Sequence, residues 1–573
     1  MPNLLAMSFE GELAPSFTLH CLEAGHALPD GWGLGYYPAG EPSVAILKEP
    51  APPQGSMRSQ LALAWEQVAS SLFVLHIRHA TWGALSDANT QPFSRTWGRR
   101  DWMMAHAGSL DHKLPDVDGP FEPVGSTDTE QLFCQLLNQC ALRGWKSLAD
   151  VDLDALQGWL AEWGELGGMT LCICDGRDLL VHADRRGVPL WLGQLAPPYD
   201  KIAFGDDDLE VDLTRRGAKS RKGVIVCSER LAARDGDAAR ALAWKQLAPG
   251  ELVVIREGAV IAERSTGGAI AAPARRRLPA RAEPRTFEVV HRTVYRYAQQ
   301  VERSIHVLRL SPVHDRLQRV HAHELTVSVA GQACDYEDVF GNRVRRLAVE
   351  TPFTELVIEA TTTVELLDVD PIGIGPLRVS QTIPLVWMPW QRQILDPFLL
   401  PPELPETELA ELADYAMSFV ERNDYDLLDT LLDINRTIHD EYAYIQGATT
   451  VFTTAFEVYV NRRGVCQDFT NLMICLARLL GVPARYACGY IYTGPRGDNQ
   501  VQSEASHAWV QVYLPQLGWK GFDPTNGILT QTDHVRVAIG RNYLDATPTS
   551  GTIFVGGGGE TLSVDVKVTP RGS

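Results

Sequence analysis

Three residues in the last quarter of the chain have the types and the order that nucleophilic attack on an amide requires. Cys466 offers a thiol, His507 an imidazole and Asp523 a carboxylate. In such a set the sulfur attacks the carbonyl carbon, the imidazole holds the sulfur as thiolate, and the carboxylate orients the imidazole. Each residue alone could be a strand-end histidine, a turn-forming aspartate or a packed thiol. The three in this order favour an acyl-transfer site.

The sequence around these residues predicts the elements that position them. Apolar residues at helical spacing follow Cys466 as far as Gly481, so we expect a helix that begins at the cysteine. A thiol at the positive end of a helix dipole ionises more readily than one in water. Strands should follow and place His507 and Asp523 at strand ends, facing the thiol. They are predicted over residues 484–492, 508–514 and 518–522.

Short motifs between about residue 287 and residue 567 carry a family resemblance. The segments are 291–295 (HRTVY), 308–312 (LRLSP), 340–342 (FGN), 464–469 (GVCQDF), 481–486 (GVPARY), 505–509 (ASHAW), 518–519 (GW), 523–526 (DPTN) and 537–543 (VAIGRNY). Together they resemble the bacterial transglutaminase-like proteins, a branch of the papain-like cysteine enzymes. One departure is Asn542, where the family commonly has aspartate.

The resemblance implies a role for each matching residue. Cys466 would form a thioester, His507 would act as base and then as acid for the leaving amine, and Asp523 would orient His507. Trp509 and Asp468 would shape the substrate site without reacting. Members of this family either hydrolyse amides or transfer the acyl group to amines, and the motifs do not choose between the two outcomes.

A second group of motifs lies in the first half of the chain. These are residues 4–8 (LLAMS), 30–35 (DGWGLG), 76–81 (HIRHAT), 89–93 (NTQPF), 105–110 (AHAGSL) and 125–130 (GSTDTE). In this order they resemble the class II glutamine amidotransferases, which have an N-terminal nucleophile fold. The resemblance implies that Arg78 and Asp128 hold the carboxylate and amine of a glutamine-like ligand, with Gly108 in the same site.

Two departures from the amidotransferase pattern concern catalysis. The family's nucleophile is the cysteine exposed after removal of the initiator methionine, but Pro2 stands there, and the family's oxyanion asparagine is replaced by Ala107. Cys21 is the nearest thiol, and it is too far from the terminus to use the terminal amine as base. We therefore expect an inactive domain for recognition or regulation. Arg78 and Asp128 would either bind a small zwitterion or peptide end, or remain as an ion pair that supports the fold.

Composition along the chain predicts an α+β multidomain protein. An αββα sandwich of the N-terminal nucleophile hydrolase type is expected first, then a small antiparallel β module and a papain-like (transglutaminase-like) α+β catalytic domain. Small, proline-rich and charged residues without periodicity mark the linker after the first domain. The predicted segments are 1–265 (amidotransferase-like domain), 266–285 (linker), 286–370 (β module), 371–405 (connector) and 406–573 (catalytic domain).

Charge and composition restrict the partners and the compartment. The 52 basic and 71 acidic residues give a formal net charge of −19, which argues against binding to nucleic acid. The sequence lacks both a signal-peptide pattern at its start and an apolar run of about 18 residues, so we expect no membrane association. Ten cysteines scattered over 573 residues indicate reduced thiols and a cytoplasmic protein. Their spacing does not predict a metal site, and no other cofactor is expected.

The function expected from these patterns is cysteine-dependent amide chemistry by the C-terminal half. The reaction would be hydrolysis of a peptide or isopeptide bond, or acyl transfer through a thioester. The substrate would be a peptide or protein with a side-chain or backbone amide, and an amine could replace water as the acceptor. Two alternatives are residual glutamine amidotransferase activity in the N-terminal domain and a non-enzymatic scaffold.

Overall fold

The computed structural model divides the chain into two compact units, residues 1–276 and 277–573. Pro2, Cys21 and most of the predicted linker lie outside the described residues. None of the described helices is long and apolar enough to span a membrane. The structure describes residues 3–19, 28–53, 57–58, 68–80, 83–112, 114, 118–199, 202–206, 209–213, 221–234, 242–265, 282–370, 372, 381–494, 506–515 and 517–571.

The first unit is built mainly from antiparallel strands. Helices α1 (Asp128–Arg143) and α2 (Leu153–Trp163) lie between the seventh and eighth strands. The strands are β1 (Leu4–Leu13), β2 (Ser16–Leu19), β3 (Gly31–Tyr36), β4 (Ala45–Glu49), β5 (Ser70–Arg78), β6 (Phe93–Trp97), β7 (Arg100–Leu110), β8 (Gly167–Cys174), β9 (Asp178–Ala183), β10 (Trp191–Leu195), β11 (Ala203–Gly205), β12 (Leu209–Asp212), β13 (Gly223–Cys227), β14 (Ala232–Ala233), β15 (Leu242–Gln246), β16 (Glu251–Arg256) and β17 (Ala259–Arg264).

Two sheets of the first unit pack face to face. One has the order β15-β10-β13-β1-β5-β3-β4 and the other the order β17-β16-β9-β8-β7-β6. Ala6 and Val74 of the first sheet share a buried cluster with Met103 and Cys172 of the second. Side chains of α1 and α2 cover the other face of the second sheet. A four-stranded sheet, β14-β11-β12-β2, packs against the first. The expected sandwich of the N-terminal nucleophile type is therefore confirmed; among the described residues its outer faces are covered by α1 and α2 on one side and by this four-stranded sheet on the other.

The second unit contains the remaining elements. Its helices are α3 (Pro389–Leu399), α4 (Glu406–Arg422), α5 (Leu427–Glu441), α6 (Ala455–Asn461), α7 (Cys466–Leu479) and α8 (Tyr543–Ala546). Its strands are β18 (Arg285–Leu308), β19 (Gln318–Val327), β20 (Gln332–Glu337), β21 (Arg343–Val349), β22 (Phe353–Leu366), β23 (Ala443–Tyr444), β24 (Arg463–Gly464), β25 (Ala484–Ile491), β26 (His507–Leu514), β27 (Gly518–Asp523), β28 (Ile528–Leu529), β29 (His534–Gly540), β30 (Thr549–Gly556) and β31 (Glu560–Arg571).

The long strand β18 organises the β module. It pairs with β22 and β31 along its first half, and with β21 and β30 along its second half. The last two strands of the chain therefore lie in this sheet, although the sequence assigned them to the segment 406–573. Alternation predicts a strand but not its partner, because pairing depends on residues distant in sequence. The predicted connector 371–405 also contains a helix, α3.

A five-stranded sheet in the order β28-β27-β26-β25-β29 supports the predicted catalytic residues. All its pairs are antiparallel. The helix α7 lies against this sheet, with α4, α5 and α6 contributing to the same buried core. The side chains of α7 that enter this core are Phe469, Leu472, Met473 and Leu476. Their helical spacing accounts for the packing, since it places them on one face.

Candidate active site

Cys466 is the first residue of α7, as the sequence predicted. The Val465 N–H donates to Oδ2 of Asp468 at 2.8 Å, and the Thr449 hydroxyl donates to the same oxygen at 2.6 Å. These bonds fasten the start of the helix to the preceding loop. The first N–H groups of a helix, those of Cys466 and Gln467 among them, have no carbonyl within the helix to which they can donate. The half-buried thiol thus lies beside a cluster of backbone donors.

His507 and Asp523 meet at one edge of the five-stranded sheet. His507 begins β26 and Asp523 ends β27, its antiparallel neighbour. The Nε2 of His507 lies 2.8 Å from Oδ2 of Asp523, and both side chains are buried. Cys466 lies close enough to the same imidazole to contribute to the raised pKa of His507. With Nε2 engaged by Asp523, Nδ1 is the ring nitrogen left for the thiol. The structure therefore brings the three predicted residues together.

The carboxylate of Asp523 accepts five hydrogen bonds. Its Oδ2 accepts from Nε2 of His507, from Nε2 of His534 at 3.1 Å and from the amide of Asn526 at 2.6 Å. Its Oδ1 accepts from the backbone N–H groups of Thr525 at 3.0 Å and Asn526 at 3.2 Å. Burial raises the pKa of Asp523, but the two imidazoles outweigh it and hold the pKa far below its usual range. Asp523 is therefore a carboxylate at neutral pH.

His534 belongs to this cluster, and the sequence analysis did not identify it. It begins β29, with Nε2 on Asp523 and Nδ1 2.6 Å from Oδ1 of Asp533. His507 and His534 come close because their strands, β26 and β29, both pair with β25. In this register Gly489 lies opposite His507 and Ile491 lies opposite His534. Two features of the sequence could have identified His534. Like His507, it is the first residue of a strand, and it directly follows an aspartate, Asp533.

Both imidazoles are held as cations. Burial lowers the pKa of His507, but the charge and hydrogen bond of Asp523, together with Cys466, reverse this effect and raise it. Burial likewise lowers the pKa of His534, and the carboxylates of Asp533 and Asp523 raise it to about 9. In turn, His534 outweighs the effect of burial on Asp533 and lowers the pKa of that carboxyl.

We expect the stability of the full chain to fall between pH 7 and pH 10. A histidine with a raised pKa stabilises the folded state fully below its unfolded value of about 6.5. That contribution disappears as the pH rises through the folded value, about 9 for His534. The loss should be on the order of 2–3 kcal/mol, measured by urea unfolding at pH 7 and pH 10. His534→Gln should lose less over the same range, and parallel losses in both proteins would contradict the prediction.

The contacts within the cluster have the lengths of hydrogen bonds. His507, Asp523 and His534 each present one potential ligand atom, and these atoms lie within 4.8 Å of one another. The two imidazole nitrogens are nevertheless 2.8 and 3.1 Å from the same carboxylate oxygen. Two ligands of one zinc ion at about 2.1 Å in a tetrahedron would stand roughly 3.4 Å apart. The observed spacing is typical of shared protons.

Trp509 lies behind the two imidazoles. Its ring centroid is 6.0 Å from that of His507 and 5.1 Å from that of His534. The side chain is fully buried and also packs with Ala487 and Ile539. Its indole N–H has no hydrogen-bond partner among the residues that the structure describes. Trp509 therefore packs against the imidazoles, and its role in shaping the substrate site stays a prediction.

In the first unit, Asp128 lies at the start of a helix whose N-cap is Thr127. It begins α1, and its Oδ2 accepts from the Leu110 N–H at 2.8 Å while its Oδ1 accepts from the Thr129 N–H at 2.8 Å. Arg78 ends β5, and its guanidinium contacts the carbonyls of the loop that follows, at 3.5 Å. Burial lowers the pKa of Arg78, and the charge of Asp30 opposes that effect. The structure thus commits both oxygens of Asp128 to backbone amides.

Gly108 occupies a position that excludes other side chains. It lies in β7 with φ of +155°, and a Cβ there would approach the Gly168 carbonyl oxygen to 2.1 Å. The preceding residue, Ala107, is buried and faces the core between the two large sheets. Its methyl group offers no hydrogen-bond donor where the amidotransferase pattern has an asparagine amide.

Comparison with known families divides the chain as its structure does. The model of class II glutamine amidotransferases matches residues 1–278. The bacterial transglutaminase-like N-terminal region matches residues 287–365. The transglutaminase-like superfamily matches residues 413–524, which include Cys466, His507 and Asp523.

Individual proteins resemble parts of the chain. An uncharacterised protein of Mycobacterium tuberculosis is 32% identical over 299 residues, covering 50% of this chain and 92% of the relative. A solved structure of a candidate cysteine protease from Cytophaga hutchinsonii is 22% identical, covering 51% of this chain and 93% of its own with a TM-score of 0.42. A predicted glutamine amidotransferase from Pseudomonas aeruginosa is 27% identical, covering 45% and 99% of the two chains with a TM-score of 0.37.

Proposed function

The chain belongs to the transglutaminase-like superfamily through its second unit and carries a class II glutamine amidotransferase domain in its first, and on this basis we propose that Cys466 attacks amide carbonyls to form a thioester. The observation that carries the proposal is the hydrogen bond of 2.8 Å between Nε2 of His507 and Oδ2 of buried Asp523, with Cys466 near enough to help raise the pKa of that imidazole. A thiol, a base and an orienting carboxylate in contact are the parts that acyl transfer requires.

The first half of the reaction forms the thioester. In the thiolate–imidazolium pair, Nδ1 of His507 already holds the proton from the thiol, and the sulfur of Cys466 attacks the carbonyl carbon as a thiolate. The resulting oxyanion lies near the helix start, where the free N–H groups of Cys466 and Gln467 can donate to it. His507 then gives its proton to the leaving amine as the C–N bond breaks. Asp523 remains a carboxylate throughout and holds the imidazole in place.

The second half releases the acyl group. Water or an amine attacks the thioester carbon and loses a proton to Nδ1 of His507. The C–S bond breaks, and the sulfur leaves as the thiolate paired with the imidazolium. Water yields a carboxylic acid, whereas an amine yields a new amide. Both outcomes use the same residues, so we propose cysteine-dependent hydrolysis or transfer of peptide and isopeptide bonds.

An aromatic side chain beside the thiol supports a peptide or protein substrate. Tyr444 is 37% exposed. Burial of its phenol is the main cause that raises its pKa, and the charges of Cys466, Asp468 and Asp523 add to it. Tyr444 also pairs with Gly464, two residues before Cys466, so it lies near the thiol and keeps exposed surface for contact with a peptide chain.

A trapping experiment tests the thioester. We expect incubation with glutamine-containing peptides, followed by an acid quench, to leave an acyl mass on the tryptic peptide that contains Cys466. Added hydroxylamine should release this acyl group as a hydroxamate. Cys334→Ser, which changes an exposed thiol of the β module, is the matched control and should keep the adduct, whereas His507→Gln should lose it. Turnover without an adduct on Cys466 would contradict the mechanism.

For the first unit we propose recognition or regulation without catalysis. Ala107 stands where the amidotransferase pattern has its oxyanion asparagine amide. Asp128, the residue expected to hold a ligand amine, has both carboxylate oxygens bonded to backbone N–H groups. An engaged carboxylate is less available to a ligand, which supports a loss of glutamine chemistry.

A further inference from the structure

The ring of His534 is placed between two carboxylates. Its Nε2 lies 3.1 Å from Oδ2 of Asp523, and its Nδ1 lies 2.6 Å from Oδ1 of Asp533. An ionised carboxylate accepts hydrogen bonds and cannot donate them. Each ring nitrogen must therefore carry its own hydrogen, which makes the ring an imidazolium.

We propose that His534 is a positioning residue that remains protonated at the working pH and tunes the acidity of His507 through their shared carboxylate, Asp523. The proposal rests on the function proposed for Cys466. It adds to the expected triad a second, non-reacting histidine and its own aspartate, Asp533.

The shared oxygen explains how one histidine affects the other. His507 and His534 both donate to Oδ2 of Asp523, and their ring centroids are 6.1 Å apart. The positive charge of His534 offsets part of the negative charge that Asp523 presents to His507. Without it, Asp523 would hold the proton of His507 more tightly. A proton held too tightly is transferred poorly to a leaving amine.

The surroundings leave few other charges to act on the two rings. Cys466 is the other group that acts on His507. Among neutral groups, Trp509 packs against both rings. The phenol of Tyr444 is kept neutral by burial and by the nearby negative groups. The side chain of His534 is 1% exposed and that of Asp533 is 30% exposed, so solvent reaches this pair from the Asp533 side.

The magnitude follows from the separation of the rings. Loss of one charge about 6 Å away, at an effective dielectric constant of 20–40, should move the titration of His507 upward by about one to two pH units. A loss of packing alone would lower reaction rates without moving a titration. The position of a step in a pH profile therefore distinguishes tuning from simple support.

The experiment measures the rate of Cys466 alkylation by iodoacetamide from pH 5 to pH 11 in the full chain. The profile should show a lower step, where the thiolate–imidazolium pair forms, and an upper step, where His507 loses its proton. In His534→Gln the upper step should move up by about one to two pH units. In Asp533→Asn it should move in the same direction by less, because the weakened His534 loses its proton first.

A matched control and the outcomes complete the test. His321→Gln removes an exposed histidine that contacts Glu365 in the β module, and its profile should equal that of the wild type. If His534→Gln does not fold, the upper step of Asp533→Asn tests the proposal in its place. If the upper step stays in place in both variants while the wild-type profile still depends on His507, the tuning role of His534 is overturned and the proposed function is not. A wild-type profile that is unchanged in His507→Ala would overturn the proposed function itself.

Discussion

Cys466→Ala is expected to lower the turnover of amide substrates by at least about 10⁴-fold and to leave the fold intact. The loss is large because, among the thiols that the structure describes, Cys466 is the one that acts on His507. Cys475, on the same helix, is fully buried, and burial raises the pKa of its thiol to about 12. The fold should survive because Cys466 is only half-buried and alanine favours helix. Steady-state release of amine, together with circular dichroism, measures both effects.

The same variant also tests the first unit. If that unit lacks catalysis, Cys466→Ala should release no ammonia from free glutamine above the rate of a blank. The control is Cys334→Ser, which should retain the wild-type rate with every substrate. Ammonia release that survives Cys466→Ala but disappears in Arg78→Ala would show an active first unit and contradict its proposed role. Amide turnover retained by Cys466→Ala would refute the role of the thiol.

Asp523→Asn is expected to lower kcat by about 10⁴-fold, the size of effect seen when the orienting carboxylate of a catalytic triad becomes an amide. Asparagine has nearly the same shape, but its side chain carries one acceptor oxygen where the carboxylate carries two. His507 and His534 both depend on the oxygen Oδ2. One of these rings would face an amide N–H₂ and would turn or lose its proton, so His507 would no longer be held with Nδ1 toward Cys466.

Asp523→Asn should also destabilise the protein. Removal of one partner from a buried ionic cluster leaves uncompensated charge, which typically costs about 3–5 kcal/mol. The measurements are kcat and the free energy of unfolding at pH 7. Asp335→Asn, which breaks an exposed ion pair with Arg345 in the β module, is the matched control and should change neither. An Asp523→Asn protein with wild-type kcat would show that His507 needs no orienting carboxylate.

Much of the candidate site follows from local sequence patterns. The apolar spacing after Cys466 predicted a helix from that residue, and α7 begins there. Alternation predicted the strands now numbered β25, β26 and β27 to within about a residue, with His507 and Asp523 at their ends. Such patterns are readable because a helix and a strand each repeat with a fixed period, so burial on one face leaves its mark on neighbouring residues.

Only the tertiary structure showed which side chains hydrogen-bond to one another and which strands pair in one sheet. His534 joined the site because β29 pairs with β25 in a register that opposes it to Ile491, at the edge where His507 and Asp523 meet. Strand β31 joined β18, from which it is separated by about half the chain. The hydrogen bond from the Leu110 N–H to Asp128 also joins two elements that no local pattern connects.

The sequence by itself determined the types and order of the reacting groups, the two halves of the chain and the families to which they correspond. Those features depend on residues that are close together in sequence and on the short motifs that such residues form. The shared carboxylate, the second imidazolium and the assignment of the last strands depend on non-local register. A register is set by the combined burial and hydrogen bonding of strands far apart in sequence, so no single segment records it.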